Sequence, residues 1–169
     1  MRLGIVGQTT RDLVDGGRPR PGGAPLYAAR ALVLLGHPAA IATTTAAEDR
    51  ALVEPLAGLG LPTTWHASEA TATYRLEHDG DARTVEIVSP GAPFVAADAD
   101  GWIADALGDA AVVHCGALSR LDFPSATLAA LRAQGRRVSL DGQGLVRPGR
   151  AGPCSTEGTS LASSATWTC

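Results

Sequence analysis

Two adjacent glycines stand directly before an apolar segment that has the composition of a helix. Gly22 and Gly23 precede Pro25, and residues 25–35 are almost entirely Ala, Leu, Tyr and Val, with Arg30 as the single charged residue. Glycine lets the backbone approach a ligand closely, and the first turn of a helix offers N–H groups without intrahelical acceptors. The segment could therefore hold hydroxyl or anionic oxygens, although a plain structural turn would give the same pattern.

Few other residues are placed for catalysis. Asp141 ends an apolar run and could act as a general base, but an Asp before Gly is more often a turn former. His114 and Cys115 suggest a base and a nucleophile, yet neighbouring residues of a strand point to opposite faces. A triad of Ser119, Asp122 and His114 lacks the Gly-x-Ser-x-Gly elbow. The sequence therefore assigns no catalytic residue.

Other common chemistries lack their motifs. The four histidines never approach the spacing of metal ligands, and neither a P-loop nor a Gly-x-Gly-x-x-Gly follows the first apolar segment. All 14 basic residues are arginine, which excludes lysine-based chemistry. The aromatic content of 4% provides no stacking platform for nucleic-acid bases.

The composition is typical of one globular domain, because 169 residues carry 45% hydrophobic side chains. The formal net charge of −3 comes from groups spread along the chain, so we expect no nucleic-acid partner and no membrane partner. The longest apolar stretch, residues 28–42, is interrupted and too short for a membrane span. The N-terminus lacks the apolar region of a secretory signal, so we expect a cytoplasmic protein with free thiols.

Short apolar runs alternate with helix-like segments along the chain. Strands are predicted at 3–7, 39–44, 110–115 and 137–141, a strand edge and turn at 11–17, and helices at 25–35, 48–59, 97–107 and 124–134. The helix at 25–35 is apolar on nearly all sides and should be buried. Two β-rich segments within residues 71–88 flank Asp79-Gly80-Asp81 and predict an antiparallel hairpin.

This alternation predicts an α/β fold with an open, mostly parallel sheet, flanking helices and a small antiparallel β lid. Two of the predicted strands end near His114 and Asp141. Polar atoms would then lie at the carboxyl edge of the sheet, where such folds bind ligands.

Residues 151–169 differ from the rest of the chain. They contain eight Ser or Thr in 19 residues, two of the three cysteines and no apolar periodicity. We expect a disordered tail, or a segment translated out of frame after an insertion or deletion, and we place the folded domain at residues 1–150.

Several segments, in their order, resemble the PfkB, or ribokinase-like, family of carbohydrate kinases. Residues 22–36, with Gly-Gly at the start and Leu-Gly at the end, resemble the first signature of the family. Residues 7–12 are similar to its first strand. The lid strands of the family resemble Thr71-Ala72-Thr73-Tyr74-Arg75 together with Asp79-Gly80 and Arg83. Residues 139–147 are similar to a stretch that follows a core strand. The resemblance covers residues 3 to about 150 in the right order.

This resemblance implies a ribokinase-like fold and ATP-dependent phosphorylation of a sugar, polyol or nucleoside hydroxyl, with Mg²⁺ accompanying the nucleotide phosphates. It assigns substrate contacts to Asp12, Gly22, Gly23 and Tyr27. Many sugar kinases carry an Asn where this chain has Tyr27, which favours a polyol or inositol-like acceptor. The hairpin within residues 71–88 would close over that ligand.

The chain also departs from the family, because no Gly-Ala-Gly-Asp signature occurs in it. The anion hole and the catalytic Asp of the family belong to that motif, which lies beyond the position at which this chain ends. The resemblance therefore implies the substrate-binding half of a C-terminally truncated kinase, and we expect this half to be inactive alone.

Two other hypotheses are open. The chain could be a non-catalytic binding module for a small hydroxylated ligand or a partner subunit, and the hairpin edge could pair two copies into a homodimer through the lid. It could also be a partly folded product of a damaged gene. A Gly-Ala-Gly-Asp segment in another reading frame after codon 150 would favour the kinase.

Overall fold

The computed structural model describes residues 1–154, which form two β-sheets with flanking helices. The main sheet has five strands, and each neighbouring pair is parallel. In spatial order they are β5 (Thr63–Ser68), β4 (Ala39–Ala46), β1 (Leu3–Gln8), β8 (Val112–Gly116) and β9 (Arg137–Leu140). The four core strands that the sequence predicts are present.

Both faces of the main sheet are covered, which explains why nearly every residue of β1 and β4 is buried. Ile5 and Ile41 belong to a buried cluster on one face, whereas Val6 and Ala42 belong to a cluster on the other. Successive side chains of a strand point to opposite faces, so each strand feeds both clusters. The predicted α/β class is confirmed.

Seven helical segments connect the strands within the described residues. They are α1 (Ala24–Leu34), a 3-10 helix (Ala47–Val53), α2 (Glu54–Ala57), α3 (Ala96–Asp100), α4 (Trp102–Leu107), α5 (Ser125–Ala133) and α6 (Gln143–Val146). None of the helices in residues 1–154 is long and apolar enough to cross a membrane.

Two of the predicted helices are divided. Residues 48–59 form a 3-10 helix and then one α-turn, because Pro55 has no N–H to continue an α-helical ladder. The segment 97–107 breaks at Gly101, whose φ and ψ of −107° and −116° lie outside the helical region. Glycine adopts this conformation without steric cost.

The second sheet, which we call the lid, contains the predicted hairpin and three further strands. In spatial order they are β10 (Gly152–Pro153), β7 (Ala82–Ser89), β6 (Thr73–Asp79), β2 (Thr10–Val14) and β3 (Arg20–Gly22). The pair β6 and β7 is antiparallel, as the hairpin requires, and β2 pairs with β6 in parallel. The hairpin is therefore the centre of a mixed sheet rather than an isolated ribbon.

The start of the predicted tail belongs to the lid. Gly152 and Pro153 pair with β7, and the backbone N–H of Cys154 donates to Val85 O at 2.7 Å. The folded part therefore extends past the predicted boundary at residue 150 by these residues. The rest of the predicted tail, residues 155–169, lies outside the described residues.

Helix α1 is less buried than its composition predicts. Leu26, Ala29 and Leu32 pack against the main sheet, whereas Leu34 is 88% exposed and Leu35 is 77% exposed. The helix forms an outer layer of the fold, so one side of it faces the sheet and the other has no partner among residues 1–154. The expectation of burial on nearly all sides is wrong for this reason.

The N-terminus of α1 lies against the carboxyl ends of β1 and β8. A Cβ atom on Gly7 would lie 3.1 Å from the Pro25 ring, and a Cβ on Gly116 would collide with Ala24. Gly23 has a φ of 93°, and a Cβ there would collide with the backbone oxygen of Gln8. The helix can begin at this point because these positions lack side chains.

We expect Gly23→Ala to lower the free energy of unfolding by about 2 kcal/mol or more. The positive φ alone costs a side-chain-bearing residue about 1–2 kcal/mol, and the colliding atom belongs to a backbone that cannot rotate away. Urea unfolding followed by tryptophan fluorescence measures the change. The control is Gly142→Ala, at φ −58° with no atom within 4 Å of the new methyl group. Equal midpoints for the two variants would contradict this account of the junction.

Candidate functional site

A cleft of about 730 Å³ lies between the carboxyl edge of the main sheet and the inner face of the lid. Alternate residues of three lid strands form one wall, because every second side chain of a strand points to the same face of the sheet. These residues are Thr10, Asp12 and Val14 on β2, Tyr74, Leu76 and His78 on β6, and Arg83 and Val85 on β7. The opposite wall comes from α1 and from the ends of β8 and β9, with Gly23, Ala24, Tyr27, Ala28, His114, Leu118, Asp141, Gln143 and Arg147.

Asp12 is the carboxylate of the lid wall. Thr10 Oγ1 donates to Asp12 Oδ1 at 2.6 Å, which fixes the orientation of the carboxyl group. Burial raises the pKa of Asp12, and the hydrogen bond from Thr10 and the charge of Arg83 oppose that rise. The second oxygen of Asp12 has no protein donor among the described residues, so it can accept a hydrogen bond from a ligand.

Gly22 acts on the site through Asp12. It pairs with Thr10 across the β2–β3 ladder, and a Cβ atom at Gly22 would collide with the Asp12 carboxylate. Gly22 does not itself line the cleft. The structure therefore gives this glycine a supporting position, where the sequence resemblance implies a direct substrate contact.

Gly23 and Tyr27, which the sequence resemblance assigns as substrate contacts, both line the cleft. Gly23 is the N-cap of α1 and has no side chain to bond the first N–H groups of the helix. Those groups and the positive end of the helix dipole suit a ligand oxygen. Tyr27 is 58% exposed, and the Arg30 guanidinium lies 5.9 Å from its ring centre, so the ring forms an open side of the cleft.

His114 and Asp141 meet at the carboxyl edge of the main sheet, as their positions at strand ends predict. His114 Nε2 lies 3.4 Å from Asp141 Oδ1, and His114 Nδ1 lies 3.0 Å from Ser139 Oγ on the neighbouring strand. Cys115 points the other way, into the core, where burial raises the pKa of its thiol to about 12. The structure therefore excludes a nucleophile and base pair of His114 and Cys115.

The rejected triad has a structural role. Ser119 Oγ donates to Asp122 Oδ1 at 2.5 Å, and the Leu118 N–H donates to Asp122 Oδ2 at 2.8 Å. Both side chains are buried, and burial raises the pKa of Asp122. This bonding closes the loop between β8 and α5, and His114 takes no part in it.

Two buried polar atoms of the cleft have no hydrogen-bond partner among residues 1–154. They are the hydroxyl of Tyr74 and Oε1 of Gln143. Burial raises the pKa of Tyr74, which keeps its phenol neutral and able to donate. An unpaired buried polar group costs about 1–3 kcal/mol, so a polar partner for either atom would offset that cost. Sequence reasoning did not assign a site role to either residue or to Arg147, since no local pattern distinguishes them.

The described residues hold neither a metal-binding cluster nor the motifs that the family resemblance implies for a phosphate donor. No group of three or more His, Cys, Asp or Glu side chains within residues 1–154 could hold a metal ion. The sequence contains neither a P-loop nor the Gly-Ala-Gly-Asp motif to which the family resemblance assigns the donor side.

The fold of this chain is similar to that of several solved kinases. A pyrophosphate-dependent kinase in the ribokinase family, complexed with a pyrophosphate analog and myo-inositol, matches with a TM-score of 0.69 at 24% sequence identity. An uncharacterized sugar kinase from Pyrococcus horikoshii in complex with ATP matches with a TM-score of 0.64 at 16% identity. A PfkB protein from Polaromonas sp. JS666 matches with a TM-score of 0.61 at 22% identity.

These matches confirm the resemblance to ribokinase-like kinases at the level of the fold. They cover 88%, 83% and 83% of this chain, and 51%, 52% and 55% of the respective kinase chains. The chain therefore spans about half the length of the solved structures that it matches. No protein-family model and no curated protein matches the sequence.

We expect Asp12→Asn to be as stable as the unchanged chain, or more stable, at pH 7. Burial raises the pKa of Asp12 in the folded state, so ionisation of this carboxyl group disfavours folding. Below the unfolded value of 3.8 the group is protonated in both states and the cost is absent. As the pH rises through the folded pKa, the unchanged chain loses stability, whereas the amide of the variant does not ionise.

Thermal unfolding midpoints of both forms, measured from about pH 3.5 to about pH 8, test this sign. The difference between the two should vanish at the acid end of the range. A variant that unfolds at a lower temperature at pH 7, with the same midpoint at acid pH, would show that the ionised carboxylate stabilises the fold.

Proposed function

We propose that this chain forms the acceptor-binding half of a carbohydrate kinase, with a sugar or polyol hydroxyl as the phosphate acceptor. The cleft between the carboxyl edge of the sheet and the lid supports the proposal most directly. It combines an oriented carboxylate, a helix N-terminus and unpaired polar atoms. These groups can form hydrogen bonds with a molecule that has several hydroxyl groups.

Each polar group has a distinct task in this proposal. Asp12 accepts hydrogen bonds from the hydroxyl groups of the ligand. Hydrogen bonds to a charged carboxylate are stronger than those to a neutral group. Gln143 Oε1 accepts a hydrogen bond from a further hydroxyl group, and the first N–H groups of α1 donate to ligand oxygens. The apolar side chains of Val14, Leu76 and Val85 cover the carbon skeleton of the ligand from the lid side.

The lid supplies these groups from strands that are hydrogen-bonded to one another. Asp12 on β2 is opposite Tyr74 on β6 in the parallel ladder, so both side chains move with the same sheet. A rigid-body movement of the lid would therefore open and close the cleft without changing the spacing between these two groups. We propose that the lid closes over the acceptor in this way and excludes water from the reacting hydroxyl.

The donor side of the reaction is part of the proposal for the complete kinase. Phosphoryl transfer needs charge neutralisation on the donor phosphates, alignment of donor and acceptor, and a carboxylate that receives the hydroxyl proton. We propose ATP with Mg²⁺ as the donor, in keeping with the sugar kinase from Pyrococcus horikoshii that was solved with ATP. The donor groups would come from a part of the fold that residues 1–154 do not contain.

We expect Asp12→Ala to abolish sugar or polyol binding while the chain stays folded. The change removes a charged group that accepts hydrogen bonds from ligand hydroxyls, and it leaves a methyl group that cannot accept them. Calorimetric titration of a polyol panel that includes myo-inositol measures the loss, and circular dichroism verifies the fold. Asp105→Ala is the matched control, since it removes an exposed carboxylate of α4 outside the cleft. Equal binding by both variants would give Asp12 a structural role.

We expect the purified chain of 169 residues to transfer no phosphate from ATP to a sugar, polyol or nucleoside above background. The missing electrostatic groups are commonly worth a factor of about one hundred or more each. Coupled detection of ADP over an acceptor panel measures turnover. Acceptor-dependent turnover near the usual enzyme range of about 1 per second would contradict this expectation, and Asp141 beside His114 would be the first candidate base.

A further inference from the structure

A second cavity, of about 370 Å³, lies at the carboxyl ends of β4 and β5. It shares no lining residue with the cleft under the lid. Two chain segments form its sides, namely residues 67–69, which lead towards lid strand β6, and residues 92–95, which follow lid strand β7. Asp98 on α3 and Trp102 on α4 complete the wall. The cavity therefore lies where the lid hairpin joins the main sheet.

Thr44 lines this cavity and has no partner for its hydroxyl group. Its side chain is 7% exposed, and Oγ1 forms no hydrogen bond with any of residues 1–154. The two neighbouring threonines of β4 point to the opposite face of the sheet and are satisfied. Thr43 Oγ1 lies 2.8 Å from Thr9 Oγ1. Thr45 Oγ1 accepts a hydrogen bond from Trp65 Nε1 at 2.8 Å. Of three consecutive threonines, the one that lines the cavity therefore carries the unsatisfied hydroxyl.

Apart from His66, the ionisable side chains that line the cavity are acidic. Glu69 is exposed and forms no ion pair with residues 1–154. Asp98 receives hydrogen bonds from the Val95 N–H at 2.8 Å and from Trp102 Nε1 at 3.0 Å, which orient its carboxylate. No arginine of the described residues lines this cavity, and the sequence contains no lysine. The local charge therefore favours a cationic ligand over an anionic one.

Aromatic and aliphatic side chains form the apolar part of the wall. The ring centre of Trp102 lies 5.0 Å from that of His66, with which it stacks, and 6.4 Å from that of Phe94. Ala92 and Pro93 extend this surface. Aromatic rings attract ammonium groups and also cover apolar carbon atoms. The wall therefore suits a molecule that combines an ammonium group with an apolar body.

We infer that this cavity is a second small-molecule site, which takes a primary ammonium group attached to an apolar body. Thr44 Oγ1 accepts a hydrogen bond from the ligand, which satisfies the buried hydroxyl. The charges of Glu69 and Asp98 favour the ammonium group, and the rings of Phe94 and Trp102 pack against the apolar body. The inference does not depend on the proposed function, because the cavity and the cleft have different walls.

Heteronuclear NMR of the purified chain, titrated with benzylamine at neutral pH, tests the inference through the indole N–H signals. The Trp102 N–H is bonded to Asp98 at the cavity, whereas the Trp65 N–H is bonded to Thr45 outside it. Benzyl alcohol and benzoate are neutral and anionic ligands of similar size. We expect protonated benzylamine to shift the Trp102 signal and not the Trp65 signal. It should bind at least about tenfold more tightly than benzyl alcohol, and benzoate should cause no shift.

Thr44→Val replaces the unpaired hydroxyl by a methyl group of similar shape. It should keep or raise the unfolding midpoint, because no hydrogen bond within residues 1–154 is lost, and it should weaken benzylamine binding about fivefold. Thr43→Val is the matched control, since its hydroxyl is paired with Thr9. It should lower the midpoint and leave the affinity for benzylamine unchanged.

Glu69→Gln tests the contribution of charge. It should reduce the affinity for benzylamine about threefold and leave the affinity for benzyl alcohol unchanged, because an exposed carboxylate contributes modestly. Glu48→Gln is the matched control, since it removes an exposed carboxylate that does not line the cavity. It should change neither affinity.

The remaining outcomes would overturn the inference. A Trp102 signal that none of the three ligands shifts would show that the cavity is not a site. Equal affinities for benzylamine and benzyl alcohol would exclude the ammonium class. A lower midpoint of Thr44→Val with unchanged binding would give that hydroxyl a structural role. If Asp12→Ala abolishes benzylamine binding, the amine occupies the cleft under the lid. A failure of polyols to bind would contradict the proposed function and leave this inference in place.

Discussion

The close approach of helix α1 to the ends of β1 and β8 determines where the cleft of this protein lies. At the contacts with Pro25 and Ala24 the sheet contributes no side chain, because Gly7 and Gly116 stand there, and Gly23 contributes none where the helix start passes Gln8. The first N–H groups of the helix consequently lie at the carboxyl edge of the sheet, in the same cleft as His114 and Asp141. The lid needs only to cover this edge to produce an enclosed site, since the base of the cleft is built by the main sheet.

Unpaired polar groups in the cleft lower the stability of the protein when no ligand is bound. Tyr74 and Gln143 have buried atoms without partners, and the carboxyl group of Asp12 ionises against burial. Each buried unpaired group costs about 1–3 kcal/mol, and a ligand that supplies the missing partner recovers that free energy on binding. The same groups therefore lower the stability of the free chain and favour its complex. Gly22 contributes indirectly, because a side chain there would displace the Asp12 carboxylate.

The sequence predicts the main sheet well because its strands are covered on both faces. Strands β1, β4 and β8 each begin with a run of apolar residues, which suits a parallel sheet that lies between helices. The strand at Thr63–Ser68 escapes prediction because it is a polar edge strand in which exposed residues alternate with half-buried ones. Asp12, Gly23 and Tyr27 are predictable from local motifs and line the cleft. Tyr74 and Arg147 are not, because only the tertiary structure places these two distant segments of the chain at the same cleft.

The register of the lid hairpin separates the apolar side chains of its inner face from the polar ones. Leu76 pairs with Val85 and His78 with Arg83, so the apolar residues and the polar residues of the inner face form adjacent rows. A shift of β6 by one residue would turn Tyr74 and Leu76 outward and bring Arg75 into the cleft. Leu76 and Tyr74 are 8% and 4% exposed, so such a shift would bring two buried side chains into water and separate Arg75 from Glu86. The apolar pairs thus hold the register that places the binding groups.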